Sequence, residues 1–271
     1  MQRGGTVAAS DKNTIFYART YRRFNPDLKR QILFALLFVL PALILYLLFY
    51  PLITRVVSEW ASGVLADALG AASPYPIGAH EYIPFFGPVS YVALSSLYPS
   101  MTLVLATAAV CLVACVILTT GKRRGLPMSI FLLFGVGVQF VSCLFFFIDG
   151  SVFPYVETDY SVLYMLQQVG IWLFFIIIAG FVVGFISYGG IPLKIVTFLG
   201  ILLYSFVFGC ARYVVYLFII AKFSSLFMAT LFFALGPFFD FLYLVFFYSL
   251  YVDRLNTKLG RRDKVEVWRW T

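Results

Sequence analysis

Long apolar runs constrain this chain more than any other feature of its sequence. They lie near residues 31–52, 101–120, 128–148, 162–188, 195–221 and 226–252. A helix needs about 20 mainly apolar residues to cross a bilayer, and each run is of roughly that length. Only 12% of the chain is charged, against about 25% in an average soluble domain. We therefore predict an all-α, polytopic membrane helix bundle with about six transmembrane helices, rather than a soluble globular fold.

The positions of the charges divide the chain into three parts. Residues 1–30 form a predicted cytoplasmic N-terminal arm, 31–252 the transmembrane domain with an outer loop at 53–100, and 253–271 a basic cytoplasmic tail. Lys and Arg are concentrated in the arm, in the 121–127 turn and in the tail, whereas the predicted outer segments hold only Arg55 and Lys222. This asymmetry follows the positive-inside rule. It predicts that both termini are cytoplasmic in a multi-pass protein, which we expect in a bacterial plasma membrane.

The outer loop has two halves. In SEWASGVLADALGAA, the apolar residues Val57, Trp60, Val64 and Leu65 fall near one helical face, and we place Ser58, Glu59, Ser62 and Asp67 elsewhere. That pattern predicts a short outer helix lying on the membrane interface after a first span at Gln31–Leu52. The second half is rich in Pro, Gly and Tyr, which predicts an ordered aromatic loop or a re-entrant cap.

Arg212 is the first candidate for a functional residue, because it falls within the fifth apolar run. A guanidinium at membrane depth costs about 2.5–3.5 kcal/mol on insertion scales, and Arg does not shed its proton to avoid that cost. Arg212 should therefore face other helices or a water-filled cavity. An alternative interpretation is an ion pair that only fixes helix packing.

The residues expected around Arg212 form the candidate ligand-binding site. Tyr216 lies one helical turn further along, Glu157 and Asp159 are candidate counter-charges, and Ser161 and Tyr164 open the fourth span. Gln167 and Gln168 in the same span are expected to form interhelical hydrogen bonds. Asp240, which follows Gly236 and Pro237 in the sixth run, is a second intramembrane charge; it could serve as a proton or cation site, or stay protonated and hydrogen-bonded.

Several kinds of site are not indicated by the sequence. The chain has one His and four Cys residues, without the spacing of a zinc site, so no metal is predicted. Phosphate-loop, nucleophile-elbow and dinucleotide-binding motifs are missing, so no cofactor is predicted. The basic residues flank apolar runs, which points to membrane lipid rather than nucleic acid as the partner.

From about Phe153 to Val252 the chain resembles the membrane transpeptidases called exosortases and archaeosortases. VETDYSVLYML looks like their Cys-bearing segment, GCAR (Gly209–Arg212) like their Arg motif, and FFALGPF like their His segment. YPLITRVVSEWASGVLADALG is similar to the segment after their first helix. The resemblance implies a site on the outer side of the membrane, built around Arg212.

This chain departs from that family at the reactive residues. Ser161 or Asp159 stands where the resemblance places Cys, Gly209 replaces Asn, and Gly236 or Pro237 replaces His. The resemblance then implies a relative that is non-catalytic or has altered chemistry, because the nucleophile needs a thiolate and a base. Whether the protein is an enzyme stays open.

Three functions remain compatible with the sequence. The first is an exosortase-like bundle that binds an outer-side peptide tail or lipid-linked partner around Arg212. The second is a small transporter or channel subunit that uses Arg212 and Asp240. The third is a structural subunit of a membrane complex, with a protein partner on the outer face. The first expects Arg212 beside Ser161 and Tyr164, whereas the third expects Arg212 to be saturated by protein groups.

Overall fold

A computed structural model describes residues 22–23, 28–84, 86–95, 97–120, 127–185, 191–260 and 269–270; the side chains at 22, 23, 28, 30, 127, 151, 185, 237–241, 255–260, 269 and 270 lie outside this description. The helices are α1 (Leu28–Phe34), α2 (Leu40–Leu69), α3 (Met101–Thr119), α4 (Pro127–Asp149), α5 (Glu157–Phe185), α6 (Ile191–Phe223), α7 (Met228–Phe233) and α8 (Gly236–Gly260). A π-helical turn, Ala35–Val39, joins α1 to α2. Two 3-10 turns, Gly150–Val152 and Ser225–Phe227, precede α5 and α7.

Among the described residues, five helical segments are long and apolar enough to cross a membrane. They are Gln31–Leu69, Met101–Thr119, Met128–Asp149, Glu157–Gly184 and Ile191–Phe223. The prediction of a helical, multi-pass membrane protein is confirmed at this level. The sixth run forms α7 and α8, which are separated by a turn at 234–235, so its crossing of the membrane stays a prediction.

Helix α2 does not end at Leu52, and the predicted separate interfacial helix is wrong. The helix continues through Pro51 to Leu69. A proline removes one backbone hydrogen bond, and neighbouring groups in a packed bundle compensate for that loss. Ser58 and Ser62, which we placed away from the apolar face, are 0% and 1% exposed. Their burial shows that the far half of α2 packs against the protein rather than lying flat on lipid.

A β-hairpin replaces the predicted aromatic loop. Strand β2 (Ile77–Ile83) pairs antiparallel with β3 (Gly87–Val92), with a register irregularity between Glu81 and Ile83. A second, two-residue ladder joins β1 (Arg22–Arg23) to β4 (Arg269–Trp270). That ladder places Arg22–Arg23 beside Arg269–Trp270.

Buried side chains form two clusters along the bundle, built on α5 and α6 with contributions from α1, α2, β3, α7 and α8, and a smaller third cluster lies between α3, α4 and the turn before α7. We call the end that carries the hairpin the hairpin end. Its core includes Tyr50, Leu65, Val89, Met165 and Leu217. The opposite end is built around Phe34, Phe175, Phe198, Ile201 and Tyr251. Lys194 lies buried near the start of α6 at that opposite end, where its Nζ donates to the Gly184 carbonyl oxygen at 3.5 Å.

Candidate functional site around Arg212

Arg212 is buried, with 5% of its surface exposed. Its Nε donates to the Tyr164 hydroxyl at 2.8 Å, its Nη2 to Gln168 Oε1 at 3.0 Å, and its Nη1 to the Gly236 carbonyl at 2.7 Å. The first two acceptors belong to α5, and the third opens α8. Arg212 thus ties α6 to α5 and to the turn that interrupts the sixth apolar run, and the predicted hydrogen-bonding role of Gln168 is confirmed.

Aromatic rings surround the guanidinium. The Arg212 Cζ lies 5.5 Å from the ring centroid of Tyr164, 5.8 Å from that of Phe208 and 6.0 Å from that of Tyr216. Ring faces attract cations, most strongly in sites without water. Phe208, Arg212 and Tyr216 are four residues apart on α6, so they share one face of the helix. The same spacing places Tyr164 and Gln168 opposite them on α5.

Ser161 joins this site through Tyr213. The Tyr213 hydroxyl accepts a hydrogen bond from the Val92 amide at 2.9 Å and lies 2.7 Å from Ser161 Oγ. The Tyr213 ring stacks on Tyr164 at 5.2 Å between centroids, and the Tyr164 hydroxyl also donates to the Gly209 carbonyl at 3.1 Å. The structure therefore brings Arg212, Tyr216, Tyr164 and Ser161 together, as the sequence predicted.

The carboxylates of Glu157 and Asp159 both accept hydrogen bonds from backbone amides. Glu157 is buried, and its Oε1 accepts from the Leu97 amide at 2.9 Å. Asp159 Oδ2 accepts from the Val156 amide at 2.9 Å, which satisfies a donor at the start of α5 as a cap does. These contacts hold the 97–100 connection and begin the helix that carries Tyr164.

Asp240 was the second predicted charge, and its side chain lies outside the described residues. Cys210 is a free, buried thiol on α6. Its neighbour Gly209 has a clear structural role: a Cβ atom built on Gly209 would lie 2.5 Å from Gln168 Nε2. The absence of a side chain there lets the Gln168 amide enter the space between α5 and α6 and reach Arg212.

An apolar groove of about 300 Å³ adjoins this site at the hairpin end of the bundle. Its walls are Phe153, Tyr155, Tyr160, Leu163, Met228, Ala229, Phe232 and Phe233. Tyr160 belongs to both regions, since its ring also stacks on Tyr164 at 6.3 Å. The Tyr160 hydroxyl is buried and has no hydrogen-bond partner among the described residues, and it is within electrostatic range of Arg212.

Sequence reasoning did not assign Tyr160, Phe208 or the Gly236 carbonyl to the site. The four-residue spacing Tyr160–Tyr164–Gln168 on α5 would have indicated the first of these, whereas a backbone carbonyl leaves no signal in a sequence. Comparison with known proteins adds no further residue: no protein-family model, curated protein or solved structure matches this chain. The geometry of the site therefore carries the functional argument.

Proposed function

We propose that this integral membrane protein binds an anionic, lipid-linked amphiphile at the hairpin end, with its chain in the groove beside Tyr160 and its head directed towards Arg212. The observation that carries the proposal is the position of Tyr160. One side of the residue lines an apolar groove, while its hydroxyl is buried without a partner among the described residues. A buried hydroxyl left without a partner costs free energy that a ligand acceptor would recover.

The shape and chemistry of the groove favour an acyl or isoprenoid chain over a polar peptide. Its walls are almost entirely apolar, with three Phe residues among the eight that line it. Such a surface gains free energy by covering apolar groups and offers little to backbone amides. The positive charge of Arg212, whose described hydrogen bonds go to protein groups, acts through space from behind Tyr164 and favours a negative head group such as a phosphate.

The same proposal includes a topology. We place the hairpin end outside the cell, with both termini cytoplasmic and the α7–α8 segment as an interrupted sixth crossing. The ladder between Arg22–Arg23 and Arg269–Trp270 supports it, because it puts a pair of residues before the first apolar run and a pair after the last one on the same side. The proposed activity is binding, so it needs neither a thiolate nor a base, and kinship with exosortases stays a prediction.

A photolabelling experiment tests the binding site. The protein in nanodiscs is irradiated with phosphatidic acid or diacylglycerol, each carrying a diazirine in its acyl chain, and the labelled peptides are mapped. We expect phosphatidic acid to label the peptides around Leu163 and Phe232. Ala229→Phe should abolish this labelling by filling the groove. Ala109→Phe, the same exchange at an exposed position on α3, should leave it unchanged.

Two further variants test the proposed interaction with the lipid head group. Tyr160→Phe keeps the groove wall and should reduce phosphatidic acid labelling about tenfold, since a hydrogen bond to a charged group contributes about 1.5 kcal/mol. Arg212→Gln should lower the folded yield, because three buried acceptors lose their described donor, and it should also reduce phosphatidic acid labelling per folded molecule. Equal labelling by the two lipids, or a loss of folded yield in Arg212→Gln with unchanged labelling of the protein that remains, would overturn the binding proposal in favour of a purely structural arginine.

A further inference from the structure

The two edges of the β2–β3 hairpin differ in a way that the proposed lipid site does not explain. Side chains close the β3 edge. The Ser90 amide donates to Thr54 Oγ1 at 3.2 Å, and Ser58 Oγ donates to the Ser90 carbonyl at 3.0 Å. The Val92 amide donates to the Tyr213 hydroxyl at 2.9 Å. Because alternate residues of an antiparallel strand point their amides to opposite sides, these bonds satisfy the side of β3 that faces away from β2.

The β2 edge is open. The Ala93 amide donates to the Pro76 carbonyl at 2.8 Å, which fixes the alternation. Gly78 and His80 then point their amides and carbonyls at β3, whereas Ile77, Ala79 and Glu81 point theirs outwards. Among the residues that the structure describes, no donor or acceptor meets these outward groups. The β2 side chains are also largely exposed.

A third strand would fit this edge. An extended peptide that adds to an open edge gains main-chain hydrogen bonds. The Tyr91 ring lies across Gly78, in the space that a β-carbon there would need. The ring covers the hairpin face at this position and leaves the backbone of β2 accessible from the side.

The charges near this edge select the partner. Glu81 is exposed on β2 itself. Glu59 and Arg55, beside the groove of about 610 Å³ that β2 shares with α2, pair with each other at 2.9 Å and offset one another, so the charge that this edge presents to a partner is that of Glu81. Opposite charges on adjacent strands stabilise a sheet, whereas like charges destabilise it. We infer that β2 binds an extended, basic segment of a partner polypeptide as a third strand.

Proline scanning of the edge tests this inference on the full chain in nanodiscs. The probe is a fluorescent peptide of alternating lysine and valine, with binding followed by anisotropy and strand formation by isotope-edited infrared spectroscopy. Ala79→Pro removes an outward amide and leaves the hairpin's own ladder intact, a position where edge strands tolerate proline. We expect binding to weaken about tenfold, the effect of losing main-chain hydrogen bonds. Ala72→Pro, in the exposed connection before β2, is the matched control and should bind as the unaltered protein does.

A charge reversal provides the second arm. Glu81→Lys should weaken binding of the lysine–valine peptide and strengthen binding of a glutamate–valine peptide. If Ala79→Pro binds the basic peptide as well as the unaltered chain, or if both peptides bind equally, the inference is overturned. Neither variant lies in the groove beside Tyr160, so lipid labelling reports separately on the proposed function.

Discussion

At the scale of single residues, Arg212 illustrates how a cation is accommodated within a membrane bundle. Its three described hydrogen bonds end on a phenol, an amide oxygen and a backbone carbonyl. Three rings lie within about 6 Å of it. The sequence identified Arg212, Tyr164 and Tyr216, because an arginine in an apolar run needs polar groups around its charge. It did not identify Gly209, which contributes by having no side chain and so leaving space for the Gln168 amide.

Gly209→Ala should therefore destabilise the protein. The new methyl group would displace the Gln168 amide, which is buried and bonded to Arg212. Overpacking and a lost hydrogen bond to a charge together predict a cost of about 2–3 kcal/mol. The measurement is thermal unfolding of the detergent-solubilised protein.

Gly200→Ala provides the control on the same helix. A Cβ atom at Gly200 would meet nothing within 4 Å, so alanine there should be neutral or stabilise α6 by up to about 1 kcal/mol. If the two variants unfold at the same temperature, α5 and α6 do not approach each other at Gly209 as described.

At the scale of elements, α2 owes its length to a row of hydroxyl groups. Tyr50, Thr54, Ser58 and Ser62 recur every four residues, and all are buried. The Tyr50 hydroxyl donates to the Gly87 carbonyl at 2.6 Å and Ser62 Oγ to the Tyr75 carbonyl at 2.7 Å. The segment Gln31–Leu69 contains 39 residues and is about 58 Å long. It exceeds a bilayer of about 40–45 Å, so its far end can carry the hairpin beyond the membrane.

Ser58→Ala should loosen the hairpin. The substitution leaves the buried Ser90 carbonyl without its described donor, and such a loss costs about 1–3 kcal/mol. Hydrogen exchange at the β3 amides should accelerate accordingly. Ser142→Ala, which removes only a bond to the carbonyl four residues earlier in α4, should leave exchange in β3 unchanged. Equal protection of β3 in the two variants would contradict the role given to this row.

At the scale of the whole molecule, the proposed topology predicts which ends can be labelled from outside. In a cysteine-free background, Lys222→Cys at the hairpin end should react with a membrane-impermeant maleimide in intact cells, and Asp253→Cys on α8 should react only after lysis. The reason is that α7 and α8 together must return the chain to the side where the arm lies. Reaction of both variants in intact cells would show that α8 does not cross.

The sequence alone was enough to show that this protein folds in a membrane. Its apolar runs are long enough to span a bilayer, and they gave the helices Met101–Thr119 and Met128–Asp149 almost to the residue. It also singled out Arg212 and Tyr164, because the cost of an intramembrane charge depends on residue type and position along the chain, both of which can be read locally. The end of α2 was not predictable in this way, since Pro51 and a row of serines ordinarily mark an interruption.

Tertiary structure decided the remainder. Ser58 and Ser62 are accommodated in the helix because the Ser90 carbonyl of the hairpin and the Tyr75 carbonyl just before it accept their hydroxyls. The hairpin itself depends on α2 and Tyr213 to satisfy one of its edges. The turn at 234–235 is held where the Gly236 carbonyl meets Arg212. Each of these features depends on a backbone group paired across elements, and backbone groups are identical at every position, so only the folded chain shows which of them meet.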